Sequence, residues 1–371
     1  MGKKSSILIA FFIYIGTTEF APHYFQLFAL PLVFLIERDN FKLVDKYKLL
    51  TLMVALCIVN ETIGISFGSI IVTNIFAIFP YFILIIFTIF LSDNINTSIL
   101  KWILLFIGLE IVIGILQSML GVQSFTNSVS LMNDGLLYNQ KVYGLSSNSS
   151  GFSLKIFLAL LLFVGFQKDL AINKYIYISL IIIGLIITFN RTYIFGAVLF
   201  GLLYYYNKIS NQESSKMKRW FIYLGVSLVF VVLIISFKEI LLQQLFRGRT
   251  DLSESMNALS ERDLIYKYFW DFIVDNPWLG NNSFKLLYTT LDGRILHAHN
   301  SYLQLFATNG ILIGLLFMYF IIKHINKNNY IYVLPIIISG LLQYSIFWGT
   351  SFQDLIFYVF LFSSYKLGRT C

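Results

Sequence analysis

The chain has 371 residues, of which 57% are hydrophobic, 18% aromatic and only 12% charged. Because a soluble domain carries about 25% charged residues, this composition excludes a soluble globular enzyme and indicates a polytopic membrane protein. The net charge of +8 is better explained by basic cytoplasmic loops than by nucleic-acid binding. The apolar runs lack the period-two alternation of membrane β-strands, so we expect helices to be the spanning elements.

Twelve membrane-spanning helices are predicted from the apolar runs, measured against the roughly 20 residues that cross a bilayer. The runs lie at residues 5–20, 23–36, 48–65, 70–91, 99–119, 151–167, 175–190, 192–207, 219–237, 300–322, 330–348 and 352–366. The predicted fold is therefore an all-α polytopic integral membrane protein, with a single membrane domain over residues 1–371. A large extracytoplasmic loop within it covers residues 238–299.

The distribution of Lys and Arg predicts an orientation with both termini in the cytoplasm. With the N-terminus inside, beside Lys3 and Lys4, the short inside loops carry basic residues, and the short outside connections near residues 21, 66 and 350 carry none. This pattern follows the positive-inside rule, which long loops escape. The basic residues of the two long outside segments, 120–150 and 238–299, therefore do not oppose this orientation.

The large outside loop is predicted to contain an amphipathic helix. Residues 260–263, Ser-Glu-Arg-Asp, have the pattern of a capping box with Ser260 as the N-cap. Apolar residues follow at helical spacing on one face: Leu264, Ile265, Tyr268, Phe269, Phe272 and Ile273. Asn276 and Pro277 then end the helix. We expect this helix to lie on the membrane surface, with Arg262 in its first turn.

Two arginines and two histidines are the candidate functional residues. Arg191 separates two apolar runs with almost no loop, where a cation is costly unless it faces water or an anion. His297 and His299 stand directly before a long apolar helix, and titratable imidazoles at such a junction usually have a use. The predicted topology places these residues and Arg262 on the outer face. Because guanidinium groups bind phosphate oxygens bidentately, a lipid diphosphate would suit this face.

Simpler explanations remain open for each of these residues. They are snorkelling of Arg191 to the interface, a solvated charge at Arg262, a backbone-bonded helix start at His299, and a structural or solvated His297. Glu110, near the middle of a span, is expected to pair with a polar group of a neighbouring helix. Asp354 is expected either to orient His299 or to cap a helix.

Several short motifs accompany these residues along the chain. They are the turn Asn190-Arg191-Thr192, the stretch 144–151, the turn Pro277-Trp278-Leu279-Gly280, the run His299-Asn300-Ser301-Tyr302-Leu303-Gln304, and Gly310 with Gly314. Together with Arg262, they resemble the O-antigen ligase and polymerase family of bacterial surface-polysaccharide assembly over about residues 140–320. The chain departs from the family pattern at Asn190, where Ser is usual, and at Asn309, where an acidic residue is common.

The resemblance implies glycosyl transfer at the outer face of the bacterial cytoplasmic membrane, from a polyprenyl-diphosphate-linked sugar donor. It implies that Arg191 and Arg262 hold the diphosphate and take part in catalysis. It also implies that His299 activates the acceptor hydroxyl, and that Asn300 and His297 contact the substrate. Because no carboxylate–histidine cluster has metal-ligand spacing, we expect neither a metal nor another cofactor.

Three functions fit these observations. The favoured one is a polymerase that joins lipid-linked oligosaccharide repeat units into O-antigen or capsule, and the alternative within the family is a ligase that moves finished chains onto a lipid core. The alternative from another class is a lipid-linked sugar flippase, which should carry charges along a cavity through the membrane. The expected partners are the polyprenyl-diphosphate-linked oligosaccharide, membrane lipid, a chain-length regulator and a flippase, with no nucleic acid.

Overall fold

The computed structural model describes residues 3–20, 48–67, 97–126, 131, 140–170, 172–210, 252–283, 285–290, 293–347 and 352–362. Within these residues the chain forms ten helices and one two-stranded hairpin. The helices are α1 (Lys3–Ile15), α2 (Lys48–Ser66), α3 (Thr97–Leu120), α4 (Ser149–Leu170), α5 (Lys174–Thr188), α6 (Arg191–Ser210), α7 (Leu252–Asp275), α8 (Ser301–His324), α9 (Tyr330–Leu342) and α10 (Phe352–Phe362). The antiparallel strands are β1 (Tyr288–Thr289) and β2 (Ile295–Leu296).

The predicted class, a helical membrane protein, agrees with the length and apolarity of these helices. Within the described residues, four stretches are long and apolar enough to cross a membrane: Lys48–Ser66, Thr97–Leu120, Ser149–Gln167 and Ser301–His324. Shorter apolar helices cover Ser6–Ile15, Lys174–Thr188, Tyr330–Leu342 and Gln353–Phe362. The predicted spans at 23–36, 70–91 and 219–237 lie outside the described residues, so the number of twelve spans stays a prediction.

One helix ends earlier than its apolar run predicted. The run 330–348 predicted one continuous span, but α9 is complete before Gln343, whose backbone is extended. The Ser301 hydroxyl donates to the carbonyl of Gln343 (3.2 Å) and accepts the N–H groups of Ser345 (2.9 Å) and Ile346 (3.1 Å). Because these bonds satisfy backbone groups that a longer helix would have used, the chain leaves the helix there.

Helix α8, which follows the candidate histidines, contacts elements from both ends of the chain. It packs against α2, α7, α9 and α10, while α3 packs against α1, α4 and α5, and α6 packs against α4 and α9. Aliphatic and aromatic side chains from most of these helices form one continuous core. The surroundings of the histidines are therefore built from segments that are far apart in sequence.

A buried ion pair joins α3 to α4. Glu110 is fully buried and accepts hydrogen bonds from the Lys155 ammonium at 2.7 Å and from the Tyr14 hydroxyl at 2.8 Å. The same carboxylate accepts the backbone N–H of Leu145 (3.0 Å) and the hydroxyl of Ser146 (3.1 Å). The predicted pairing of Glu110 with a neighbouring helix is thereby confirmed. This carboxylate also holds the segment that leads into α4.

Helix α7 is longer than the amphipathic helix that was predicted. It runs over Leu252–Asp275, so the prediction that Ser260 caps the helix is wrong, and Arg262 lies in mid-helix rather than in the first turn. The segment from Leu252 to Ser260 contains neither Gly nor Pro, and nothing in it stops the helix from starting upstream. The predicted end of the helix before Asn276 is confirmed.

The apolar face of α7 packs against protein. Ile265, Phe269 and Ile273 are buried in one cluster with Ala307 of α8, as expected for side chains four residues apart on one helix face. Leu264, which was predicted on the same face, is instead 55% exposed. The predicted position of α7 on the membrane surface stays a prediction.

Candidate functional site

The bridge from β2 to α8, residues 297–300, carries both candidate histidines. Gln304, which is only 1% exposed, fixes this bridge from the second turn of α8. Its Nε2 donates to the carbonyl of Leu286 (3.0 Å), and its Oε1 accepts the N–H of Ala298 (3.1 Å). One amide side chain therefore holds both arms of the hairpin against α8, which gives the Gln of the His-Asn-x-x-Leu-Gln run a structural role.

Asn300 is the N-cap of α8. Its side-chain oxygen accepts the backbone N–H groups of Tyr302 (2.9 Å) and Leu303 (3.1 Å). These are N–H groups that a helix start would otherwise leave without a partner. The oxygen of Asn300 is thus used inside the protein, and the substrate contact predicted for this residue stays a prediction.

His299 has an unusual backbone conformation directly before this cap. Its φ is 50°, in the left-handed region that non-glycine residues seldom adopt. Its backbone N–H donates to Nδ1 of His297 (3.1 Å), and the two imidazole rings lie 4.4 Å apart between centroids. The Nδ1 atom of His299 itself is buried and has no hydrogen-bond partner among the described residues.

The electrostatic surroundings favour a neutral His299. Burial and the positive charge of Arg262 lower the pKa of His299 below its usual range. Arg262 is half-buried on α7, which packs against α8, so its guanidinium lies close enough to act on the imidazole. A lowered pKa leaves the ring unprotonated at neutral pH, which is the state that can accept a proton.

Two residues beside the histidines were not identified from the sequence. The Lys285 ammonium lies 5.8 Å from the centroid of the Tyr344 ring, and this ring packs edge-on against His297 at 5.2 Å. Burial lowers the pKa of Lys285 to about 8, although the Asp354 carboxylate opposes this shift. No local pattern marks either residue, because Lys285 is a single lysine in a polar segment and Tyr344 belongs to an apolar run.

Asp354 supports the chain segment that contains Tyr344. It lies in the first turn of α10, is fully buried, and accepts the backbone N–H of Phe347 at 2.6 Å. Its charge also acts on Lys285. Asp354 is therefore connected to the histidines through Lys285 and Tyr344, while direct orientation of His299 by Asp354 stays a prediction.

The 277–280 turn fills a break in α8. The helix is interrupted at Gly310, where φ is 79° and ψ is 170°. The first carbonyl of the turn accepts the N–H of Ile311 (2.7 Å), and the residue after the turn donates to the carbonyl of Ala307 (2.7 Å). Both Gly280 and Gly310 have positive φ, and a Cβ on either would collide with the backbone of the other segment. The two glycine motifs are thus explained by one close backbone contact.

Asn309, where the family commonly has an acidic residue, uses both ends of its amide. Its nitrogen donates to the carbonyl of Leu305 (3.2 Å) and to the hydroxyl of Thr308 (2.8 Å). Its oxygen accepts from the Ser283 hydroxyl (2.9 Å) and the Cys57 thiol (3.3 Å). An ionised carboxylate could not donate the first two bonds. The asparagine therefore suits this position, where it connects α2 to the site.

Arg191 begins α6, whose start is held by its neighbour Asn190. The Asn190 oxygen accepts the N–H of Thr192 (3.1 Å), and its nitrogen donates to the hydroxyl of Ser150 at the start of α4 (3.0 Å). Asn190 thus caps α6 in the way that a Ser would, and it adds a contact to α4. The departure from the family pattern keeps the turn intact.

The starts of α6 and α8 lie at the same end of the helix bundle. Helices α6 and α9 are antiparallel, because Gly196 meets Ser339 while Phe200 packs on Tyr332 with ring centroids 5.7 Å apart. Beyond Ser339, the chain reaches the segment that bonds to Ser301. The structure therefore places the start of α6, with Arg191, at the same end of the bundle as the start of α8, which follows the histidines. The side of the membrane that this end faces stays a prediction.

The chemistry available around His299 is that of a neutral base beside cations. Arg262 and Lys285 supply positive charge that suits an anionic ligand, and an unprotonated imidazole can accept a proton. Among the described residues, no three His, Cys, Asp or Glu side chains are grouped so that they could hold a metal ion.

One family of known proteins matches a large part of the chain. A family model described as O-antigen ligase matches residues 142–318, close to the range 140–320 over which the motifs predicted a resemblance. The match includes Arg191, Arg262 and His299. No curated protein matches the chain. The match supports an assignment of this segment, just under half of the chain, to the O-antigen ligase family, which includes ligases and related polymerases that act on lipid-linked sugars.

Proposed function

We propose that the protein is a polysaccharide polymerase that transfers polyprenyl-diphosphate-linked oligosaccharide repeat units onto one another at the outer face of the cytoplasmic membrane. The observation that carries this proposal is the position of His299, which is half-buried before α8 with its pKa lowered by burial and by Arg262. A neutral base beside a guanidinium fits a reaction between a sugar hydroxyl and a lipid diphosphate.

In the proposed reaction, Arg191 and Arg262 bind the diphosphate of the donor. Guanidinium groups remain charged and pair with two phosphate oxygens at once. The bond between the anomeric carbon and the diphosphate oxygen breaks, and the lipid diphosphate leaves with the electron pair. The two guanidiniums stabilise this charge, so the scheme requires no metal ion. The common position of the α6 and α8 starts supports this assignment.

His299 is proposed to activate the acceptor. It takes the proton of the acceptor hydroxyl while that oxygen bonds to the anomeric carbon, and the imidazolium later releases the proton to water. Such general-base help is typically worth about 10²–10⁴-fold in rate. Because a bound diphosphate would offset the charge of Arg262, His299 would become a stronger base once the donor is in place. The amide nitrogen of Asn300 is the group of that residue proposed to contact the substrate.

The cellular setting follows from the proposed reaction and the predicted topology. The protein would be a multi-pass protein of a bacterial inner membrane with both termini in the cytoplasm. It would receive lipid-linked repeat units from a flippase and work with a chain-length regulator, in O-antigen or capsule synthesis. A ligase within the same family would use the same donor site and differ in its acceptor, which would be a lipid core.

Reconstitution in liposomes tests the proposed function against its alternatives. The purified protein is supplied with a lipid-linked repeat unit, with or without a lipid-core acceptor, and the products are separated on a gel. A polymerase gives a ladder of longer chains on the polyprenyl carrier without the lipid core. Product that forms only with the lipid core would replace the polymerase by a ligase. Transfer of the lipid across the bilayer without a new glycosidic bond would identify a flippase.

A further inference from the structure

The conformation of His299 requires a specific support. A left-handed backbone is unfavourable at a non-glycine residue, and φ of His299 is 50°. The backbone N–H of His299 donates to Nδ1 of His297 over 3.1 Å. A side-chain acceptor that binds the N–H two residues further on is the hydrogen bond of an Asx turn, here made by an imidazole. The contact therefore stabilises the local turn that aims His299.

His297 is in turn held by contacts with two neighbouring rings. The centroid of the His299 ring lies 4.4 Å from that of His297, and the centroid of the Tyr344 ring lies 5.2 Å from it at an interplanar angle of 62°. The Tyr344 ring carries the Lys285 ammonium at 5.8 Å, and the Tyr344 hydroxyl donates to the carbonyl of Phe347 (3.4 Å). The His297 ring is thus held within a series of contacts that runs from His299 through Tyr344 to Lys285.

The hydrogen bond also requires that Nδ1 of His297 carries no proton. Burial, then the charges of His299 and Lys285, lower the pKa of His297 to about 3. The other charge in this group is Asp354, which acts on Lys285, while Arg262 acts on His299. His297 therefore remains neutral over the working range of pH, with Nδ1 available as an acceptor.

We propose that His297 is a positioning residue: its Nδ1 holds the backbone of His299 in the left-handed conformation and thereby directs the His299 ring at the acceptor hydroxyl. This role rests on the proposed function, because it assigns His297 to the support of the proposed base. It replaces the direct substrate contact that the sequence predicted for His297. Lys285 and Tyr344 support this role indirectly, because Tyr344 packs against His297 and Lys285 packs against Tyr344.

Two variants of nearly equal size separate the hydrogen bond from simple packing. His297→Asn keeps an acceptor that can bind the N–H of His299, whereas His297→Leu does not. In reconstituted protein with the lipid-linked repeat unit, we expect His297→Leu to lose about 10²-fold in kcat, the effect of a small misplacement of a reacting group. We expect His297→Asn to stay within about fivefold of the wild type, because an Asx turn restores the geometry. KM for the donor should change little in both.

A third variant and a pH profile make the test independent of folding losses. His297→Phe keeps the ring packing on Tyr344 without the acceptor and should be as slow as His297→Leu, so it replaces the leucine variant if that protein unfolds. The acid limb of the pH profile should be the same in His297→Asn and the wild type, because this limb follows the titration of His299 and His297 carries no charge there. His324→Asn, at the far end of α8, is the matched control and should remain fully active.

The outcomes distinguish this role from the proposed function itself. Equal losses of kcat in His297→Asn and His297→Leu, with both proteins folded, would overturn the positioning role. Full activity of His297→Phe would overturn it as well, and so would a displaced acid limb in His297→Asn. If His299→Ala still makes wild-type polymer, the proposed function fails, whatever the His297 variants do. If His299→Ala is inactive while His297→Leu is fully active, only the positioning role fails.

Discussion

The carbonyl oxygen of Trp278 lies against Gly310, directly where α8 is interrupted. This contact joins the turn after α7 to the helix that follows the histidines. It requires a residue without a Cβ on α8, and the positive φ of Gly310 adds a second requirement for glycine. The glycine at the end of the Pro-x-x-Gly turn and Gly310 of α8 thus mark the place where two backbones are in contact.

Replacing Gly310 by alanine should destabilise the protein strongly. A left-handed alanine and a forced displacement of the turn together cost about 2–5 kcal/mol. Gly201→Ala on α6 is the matched control, because a Cβ there meets nothing within 4 Å and alanine favours a helix by about 0.5–1 kcal/mol. Thermal unfolding in detergent measures both. Equal unfolding temperatures for the two variants would contradict the contact.

The ion pair between Glu110 and Lys155 should behave as a coupled unit. Glu110→Gln leaves a buried ammonium without its counter-charge, and breaking such a pair typically costs about 3–5 kcal/mol. Lys155→Met likewise leaves the buried Glu110 carboxylate without its counter-charge. The double variant should lose less stability than the sum of the two single variants, because neither charge then remains alone. Additive losses in equilibrium unfolding would show that the two residues act independently.

The cap at Asn300 predicts different effects for two substitutions. Asn300→Ala removes the acceptor for two backbone N–H groups and should cost about 1 kcal/mol. Asn300→Asp keeps the acceptor and adds a negative charge at a helix N-terminus, which is favourable, so its stability should match the wild type. Unfolding temperatures compare the two directly. A loss of stability in the aspartate variant as large as in the alanine variant would rule out the capping role.

The pH dependence of the reaction should depend on the charge of Arg262. His299 must be unprotonated to act as a base, and its pKa is lowered by burial and Arg262, so the acid limb of kcat/KM should lie below the ordinary histidine pKa of about 6.5. Arg262→Gln removes one of the two causes that lower the pKa of His299, and it should therefore move this limb to higher pH. Arg262→Lys keeps the positive charge and should leave the limb near its wild-type position.

The position of the limb is informative even though both Arg262 variants are expected to react slowly. A weakened contact with the diphosphate lowers the height of the profile, whereas the limb follows the pKa of the base in the free enzyme. Identical limbs in the glutamine and lysine variants would mean that Arg262 does not act on His299 through its charge.

The start of α8 could be predicted from sequence because its determinants are local. Asn300 is a favoured N-cap residue directly before an apolar helical run, and the glycines mark points where backbones meet. The same kind of local pattern failed at Ser260. A Ser followed three residues later by an acidic residue also occurs within helices, and here the helix starts well before it.

The partners of the histidines could not be predicted in this way. Tyr344 lies in the segment after α9 that bonds to Ser301, and Lys285 lies beside Leu286, whose carbonyl accepts a hydrogen bond from Gln304. Both contacts join segments that are distant in sequence, and neither has a periodic or spacing signal of its own. Tertiary packing decides these contacts, and sequence patterns describe mainly local structure.

His299 is proposed to be the base that activates the acceptor hydroxyl when a new glycosidic bond forms. The most direct measurement is the rate of chain extension by His299→Ala in liposomes with a lipid-linked repeat unit, with wild type and His324→Asn alongside at equal amounts of folded protein. We expect a ladder of extended chains from the wild type and from His324→Asn, and a loss of at least about 10²-fold for His299→Ala. Extension by His299→Ala at the wild-type rate would contradict the claim.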